Sequence, residues 1–173
     1  MKRLQLFCGD KYWPGFINCD KHVVQADVNV DCSKLDSFKD CEADEIHVIH
    51  GLEHLHRLTA ERALKDWYRV LIPGGRLVLE VPSLDKIVAM LAAGEKNIRL
   101  TLLGLFGDPR DQKQGMEHKW CWSQEELTGS LQAAGFMHIA FEEPFFHVAQ
   151  RDMRATAIKP DHLGDEHAKS DSH

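Results

Sequence analysis

Short apolar runs broken by polar turns fill the first fifty residues, and a helical period sets in only after them. Leu4-Gln5-Leu6-Phe7-Cys8-Gly9-Asp10, Gly15-Phe16-Ile17-Asn18-Cys19-Asp20 and Ala26-Asp27-Val28-Asn29-Val30-Asp31-Cys32 each read as a strand ending in a cysteine with an acid close by. Asp44-Glu45-Ile46-His47-Val48-Ile49-His50-Gly51 reads as a fourth strand closed by a glycine. From Thr59, the positions Ala60, Ala63, Leu64, Trp67, Val70 and Leu71 recur at helical spacing, with Thr59 as N-cap and Pro73-Gly74-Gly75 as the stop. Arg76 to Pro82 is again strand-like, so His47 to Val81 forms a strand, helix, strand unit of the kind that crosses over right-handedly between parallel strands.

The later chain continues with helices. Leu84, Ile87, Val88 and Leu91 predict one that stops near Gly94, and Ile98 to Phe106 a shorter one. Gly107 to Trp122 is a loop long enough to carry function. Ser123-Gln124-Glu125-Glu126 has capping-box spacing and opens a helix through Leu127, Leu131 and Ala134, stopped by Gly135. Met137 to Glu142 and Asp152 to Ile158 alternate as an antiparallel pair. One domain over residues 1–160 and a disordered polar tail over 161–173 are expected.

Composition narrows the class. A chain of 173 residues, 43% hydrophobic, can bury a core without disulfides. The five cysteines are odd in number and contain no C-x-x-C pair, which argues for reduced thiols and a cytoplasmic protein. At strand ends they read as small buried hydrophobes rather than zinc ligands, so no metal is expected. The N-terminus runs straight into a strand, and no stretch approaches the ~18 apolar residues of a membrane span, so neither secretion nor membrane insertion is expected. A net charge of −6 without a basic block gives no footprint for nucleic acid.

In an open parallel sheet, ligands lie beyond the carboxyl ends of the strands, which places Gly9, Asp20 and Asp31 around one crevice. Such a crevice suits a nucleoside-containing cofactor. Carboxylates at Asp20 and Asp31 can accept from the hydroxyl or amino groups of such a ligand; the competing reading of each is a turn or cap aspartate.

The ordered series of segments over roughly residues 4 to 160 resembles the small class I S-adenosylmethionine-dependent methyltransferases, of methyltransferase type 11, found among surface-polysaccharide genes. Leu6-Phe7-Cys8-Gly9-Asp10 stands for the glycine-rich first loop, Phe16 to Asp20 for the segment ending in the ribose acid, and Asp31-Cys32-Ser33 for the adenine loop. Gly51-Leu52-Glu53-His54-Leu55 matches a Leu-Glu-His motif, and Tyr68 to Leu77, with Pro73-Gly74-Gly75, is the most specific segment. Ala134-Gly135-Phe136 repeats the turn into the sixth strand. The resemblance implies an α/β Rossmann-like domain with a mostly parallel seven-stranded sheet, an antiparallel last strand, and a first helix reduced or missing. It implies cofactor contacts by Phe7, Cys8, Gly9, Asp20, Asp31, Cys32, Ile49 and His50, with S-adenosylhomocysteine as product. The acceptor would be a small molecule or glycan precursor, methylated on oxygen or nitrogen.

Two departures qualify the match. Asp10 and Lys11 replace further glycines, and Asp20 follows Asp10 too closely for a crossover helix. Both features weaken a nicotinamide-dependent dehydrogenase, which needs a pyrophosphate cradle at a helix N-terminus. They keep open a non-catalytic relative acting as a binding or interaction module. A domain with one open side to its crevice could also use a second copy of the chain to cover it. For an oxygen acceptor, His50, His54 and His118 are the candidate bases, and the sequence does not choose among them. Each has a structural alternative, as do Trp120 and Trp122 beside His118, which read either as a stacking surface or as core packing.

Overall fold

The computed structural model describes residues 1–111 and 116–161, so the expected tail beyond residue 161 lies outside the described residues. A six-stranded sheet carries the fold, from β1 (Arg3–Leu6), β2 (Ile17–Cys19), β3 (Ala43–Ile49), β4 (Leu71–Pro82), β5 (Met137–Glu142) and β6 (Asp152–Ile158), in the order β2-β1-β3-β4-β6-β5. β2, β1, β3 and β4 run parallel, and β6 lies antiparallel between β4 and β5. The sheet is therefore mostly parallel with an antiparallel last strand, as expected. It has six strands rather than seven, because Ala26 to Cys32 contributes only a bridge between Cys19 and Val28. Asp and Asn fit a pleated surface poorly. Here the Asp27 carboxylate turns back to accept from the Asn18 amide nitrogen and side chain, at 2.8 and 2.9 Å, which ends the pairing.

The α-helices among the described residues are α1 (Arg57–Val70), α2 (Leu84–Ala92), α3 (Ile98–Phe106) and α4 (Gln124–Ala133). α1 begins two residues before the predicted Thr59 and buries Ala60, Ala63, Leu64, Trp67 and Val70. These side chains share the core with Leu4, Leu6, Ile46, Val48, Leu77 and Leu79, none of which reaches solvent. The Trp67 indole N–H donates to the Cys32 carbonyl at 2.8 Å and pins the loop after β2 to the helix. At α4 the Ser123 hydroxyl caps the Glu126 amide as the sequence suggests. The Glu126 carboxylate turns instead to Arg57 at 2.7 Å and the Trp120 indole at 3.1 Å, tying α4 to α1 and to the preceding loop.

No helix separates β1 from β2; residues 7–16 form turns. The sheet face that a crossover helix would cover carries Gln5 and His47, paired in register on β1 and β3. Aromatic rings close it instead. Trp13 and Phe16 meet His47 edge-on at 5.9 and 5.0 Å, and Trp13 stacks on Phe146 at 4.7 Å. No helix among the described residues is long and apolar enough to cross a membrane.

Candidate functional site

The chain passes from β1 to β2 on one side and later returns to β3 on the other, so the sheet reverses direction at the carboxyl end of β1. A cavity of about 420 Å³ opens there, within the ~300–1,000 Å³ of small-molecule sites. Phe7, Gly9, Asp20, Cys32, His50 and His54 line it. The first five of these were expected to touch a cofactor, and His54 was expected nearby. Cys8 lines a neighbouring cavity on the far side of Gly9, together with Asp10, Tyr12 and Val23. Ile49 is the last residue of β3 and is not among the lining residues. Neither is Asp31, whose carboxylate accepts from the Ser33 amide at 3.0 Å and hydroxyl at 2.7 Å, the turn geometry that was its alternative reading.

Local backbone geometry shapes the crevice. Phe7 and His50, at the ends of β1 and β3, both lie in the left-handed region at φ 54 and 53°, a conformation that costs bulky residues energy and gathers at functional sites. Gly9 has φ 53°, and a Cβ there would meet nothing within 4 Å, so the space above its backbone is open for a ligand. The Asp20 carboxylate accepts from the Gly9 amide at 3.1 Å and from the His22 amide at 2.8 Å, one bond on each oxygen. Each oxygen retains a lone pair.

Gly51 backs the crevice. A Cβ at this position would lie 2.6 Å from Cδ2 and 2.9 Å from Cβ of Phe7, whose backbone is already held at φ 54°. Gly51→Ala is expected to cost about 1–3 kcal/mol of stability by overpacking and to displace Phe7 into the crevice. Urea denaturation measures the first effect, and calorimetric titration with S-adenosylhomocysteine the second.

Behind the crevice lies a buried set of charges. The Glu53 side chain is completely buried, and neither carboxylate oxygen makes a hydrogen bond among the described residues. Its nearest charged neighbour is His50 Nδ1 at 2.8 Å, in ion-pair contact without hydrogen-bond alignment. His50 Nε2 lies 3.5 Å from Asp152, itself fully buried and held by Arg151. Burial pushes the His50 imidazolium toward neutrality, but the charges of Glu53 and Asp152 prevail and hold its pKa up to about 9. His50 is therefore a cation at neutral pH. His118 is pushed down by burial more than Glu53 raises it, and so is neutral there.

The proton on His50 makes stability depend on pH. Its folded value of about 9 lies above the ordinary 6.5, so its contribution is complete below pH 6.5 and is lost as pH rises through about 9. The change is on the order of 3 kcal/mol. The urea midpoint is expected to fall between pH 6.5 and 9, with the slope flattened in His50→Gln.

The loop after α3 closes the site. His54 Nδ1 donates to the Glu117 carbonyl at 3.2 Å, and His118 Nδ1 donates to the Gly104 carbonyl at 2.8 Å. The amides of Lys119 and Trp120 donate to the Glu53 carbonyl. A second cavity, of about 600 Å³, lies between α3 and this loop, lined by Leu102, Leu103, Phe106 and Pro109 together with Arg99 and Asp108. Met116 and Glu117 line both cavities and so form their shared wall. Trp122 is fully buried and packs in the core, whereas Trp120 is exposed beside the Arg57 guanidinium.

Glu53, Glu80, Asp152 and His147 were not singled out as a charge network by sequence reasoning, although a glutamate inside the apolar run Leu77 to Val81 is itself a signal. His147 lies against His50 with ring centroids 3.8 Å apart and planes tilted by 40°. Cys8 is pushed up to about 11 by burial and then by Asp20, so it is a protonated thiol and not a nucleophile.

Fold and site together define an open parallel α/β domain with a nucleoside-sized crevice at its switch point. Residues 6–79 match the family model described as a methyltransferase domain. Among solved structures, an Archaeoglobus fulgidus SAM-dependent methyltransferase is similar at 17% identity and a TM-score of 0.56, covering 83% of this chain and 76% of its own. A SAM-dependent methyltransferase from Thermotoga maritima is similar at 17% identity and 0.51, over 75% and 62%. A candidate exported protein from Bordetella parapertussis is similar at 18% identity and 0.56, over 76% and 43%. At these identities the likeness shows the fold, and the chain spans only about half the length of the last two proteins. A search of curated proteins found no match.

Proposed function

We propose that this chain binds S-adenosylmethionine in the crevice and transfers its methyl group to an oxygen or nitrogen of a small-molecule acceptor in the adjoining apolar cavity. The observation that carries the reading is the shared wall at Met116 and Glu117, which sets a nucleoside-sized crevice beside an apolar cavity. Open space over Gly9 and a free lone pair on each Asp20 oxygen fit an adenosyl group. β1 runs into turns rather than a helix N-terminus, so a pyrophosphate would find no cradle, which tells against a dinucleotide. When bound, the sulfonium supplies an activated methyl group. The residues supply alignment, worth up to ~7–11 kcal/mol of barrier in favourable cases.

His50, already charged, is poorly placed to take a proton from the acceptor. His54 lines the crevice, donates through Nδ1 to a carbonyl and keeps a lone pair on Nε2, so it is the imidazole best placed to do so, whereas His118 stands behind it among neither set of lining residues. A glycan precursor is the acceptor class suggested by the surface-polysaccharide resemblance, and a second copy of the chain would shield the open side of the crevice. All five cysteines are free thiols, which supports a cytoplasmic setting. The test is calorimetry with S-adenosylmethionine and S-adenosylhomocysteine, followed by methyl transfer to a panel of sugar and small-molecule acceptors. Absence of binding by the folded chain would sink the reading; binding without transfer would favour a cofactor-binding module.

A further inference from the structure

Three potential ligands converge where the crevice meets the loop after α3. One carboxylate oxygen of Glu53 and one ring nitrogen each of His54 and His118 lie within 4.8 Å of one another, with His118 Nε2 4.0 Å from Glu53 Oε1. We propose that these three side chains form a binding site for a first-row divalent transition ion, of which zinc is the plainest case. This departs from the metal-free site expected of the sequence.

Three observations point the same way. Glu53 is completely buried, yet neither of its oxygens has a hydrogen-bond partner among the described residues. A buried carboxylate is normally hydrogen-bonded or bound to a metal, and the contact with His50 satisfies only part of its demand. Both histidines are oriented from behind: Nδ1 of His54 donates to the Glu117 carbonyl and Nδ1 of His118 to the Gly104 carbonyl, which fixes the tautomer that leaves Nε2 unprotonated. Metal-bound histidines are held in the same way, by a carbonyl or carboxylate on the second nitrogen. Finally, the donor set itself is selective. Two imidazoles and one carboxylate suit zinc, iron or cobalt, whereas magnesium and calcium prefer oxygen.

A tetrahedral ion with bonds of ~2.0–2.1 Å needs its ligands ~3.3–3.4 Å apart. The three side chains would close by about an ångström. Three protein ligands would leave a fourth position for water or another small ligand, and His54 and Glu117 line the crevice. In the loaded protein, the two histidines act as ligands rather than as proton acceptors. Any part the ion plays in methyl transfer rests on the function proposed above; its binding does not.

The experiment uses the full chain, stripped with a chelator and titrated with cobalt(II) chloride in the absence of cofactor. Ligand-field absorption in the visible range reports the geometry. The expected result is a saturable tetrahedral band, displaced by zinc, with cobalt affinity at least ~10-fold weaker in His54→Gln and His118→Gln. Glu53→Gln alters a buried charge and so risks the fold. The decision therefore rests on the partly exposed His54, with circular dichroism confirming that each variant is folded. A variant with His162, His167 and His173 all changed to Gln must retain the band. Absence of the band, a band unchanged in both His54→Gln and His118→Gln, or loss of the band with the three C-terminal histidines would each overturn the proposal. Cofactor binding without cobalt binding would reject the metal site and leave the proposed function standing.

Discussion

Asp20→Ala is expected to raise the dissociation constant for S-adenosylhomocysteine by about 10²–10⁴-fold while leaving the far-ultraviolet circular dichroism unchanged. Hydrogen bonds from a ligand to a charged group contribute ~1.5–3 kcal/mol each, and two ribose hydroxyls would bring the loss to ~3–6 kcal/mol. Asp20 also holds the Gly9 and His22 amides, so the same change loosens the backbone over which the adenosyl group would lie. The fold is spared because Asp20 is only half-buried and stands at the end of an edge strand. Asp20→Asn keeps the shape but turns one acceptor into a donor, and an intermediate loss is expected. Calorimetric titration reads all three proteins. An affinity that does not move in Asp20→Ala would remove the ribose assignment.

Glu80→Ala is expected to destabilise the chain by about 3–5 kcal/mol, a large share of the ~5–15 kcal/mol that keeps a domain folded. The Glu80 side chain is completely buried in β4 and faces Arg154 directly across the antiparallel ladder, with Nη1 donating at 2.6 Å. It also accepts from the amides of Phe145 at 2.7 Å and Phe146 at 3.1 Å. Removing it strands a guanidinium and two amides together.

The same group predicts an acid limit. Burial acts to raise the Glu80 pKa, but His147, the two amides and Arg154 together hold it down to about 2, against an ordinary 4.5. Its stabilisation is therefore present above pH 4.5 and lost as pH falls through about 2. Urea titrations at pH 7 and pH 3 would show a smaller drop for Glu80→Ala than for the parent chain. Because Phe146 stacks on Trp13 and His147 lies against His50, the variant also tests whether this network positions the crevice wall.

Much of this was legible from local pattern. The apolar stripe of α1, the Ser123 cap and the alternation of β5 and β6 are each set within a dozen residues, where periodicity and capping chemistry act directly. The missing crossover helix followed from chain length alone, since ten residues between β1 and β2 cannot hold a helix and its connections. Gly9 and Asp20 were readable as crevice-lining residues because strand ends in a parallel sheet converge, and Phe7 and His50 through the family resemblance. Asp31 stands at an equivalent place in the sequence, but its run pairs at a single bridge, and Ser33 takes the carboxylate that the crevice was expected to use.

By itself, then, the sequence determined most of the elements, their order and the strand ends at Gly9 and Asp20 that border the crevice, because period, caps and link lengths are properties of neighbouring residues. Only the tertiary structure decided what stands behind that crevice. His118 meets Glu53 from sixty-five positions away, Glu80 finds Arg154 across the sheet, and Trp13 meets Phe146 over the face a helix would have covered. Contacts between distant residues depend on how the sheet is packed, and burial then sets the charge each group carries, lifting His50 to a cation and leaving the Glu53 carboxylate without a hydrogen-bond partner among the described residues.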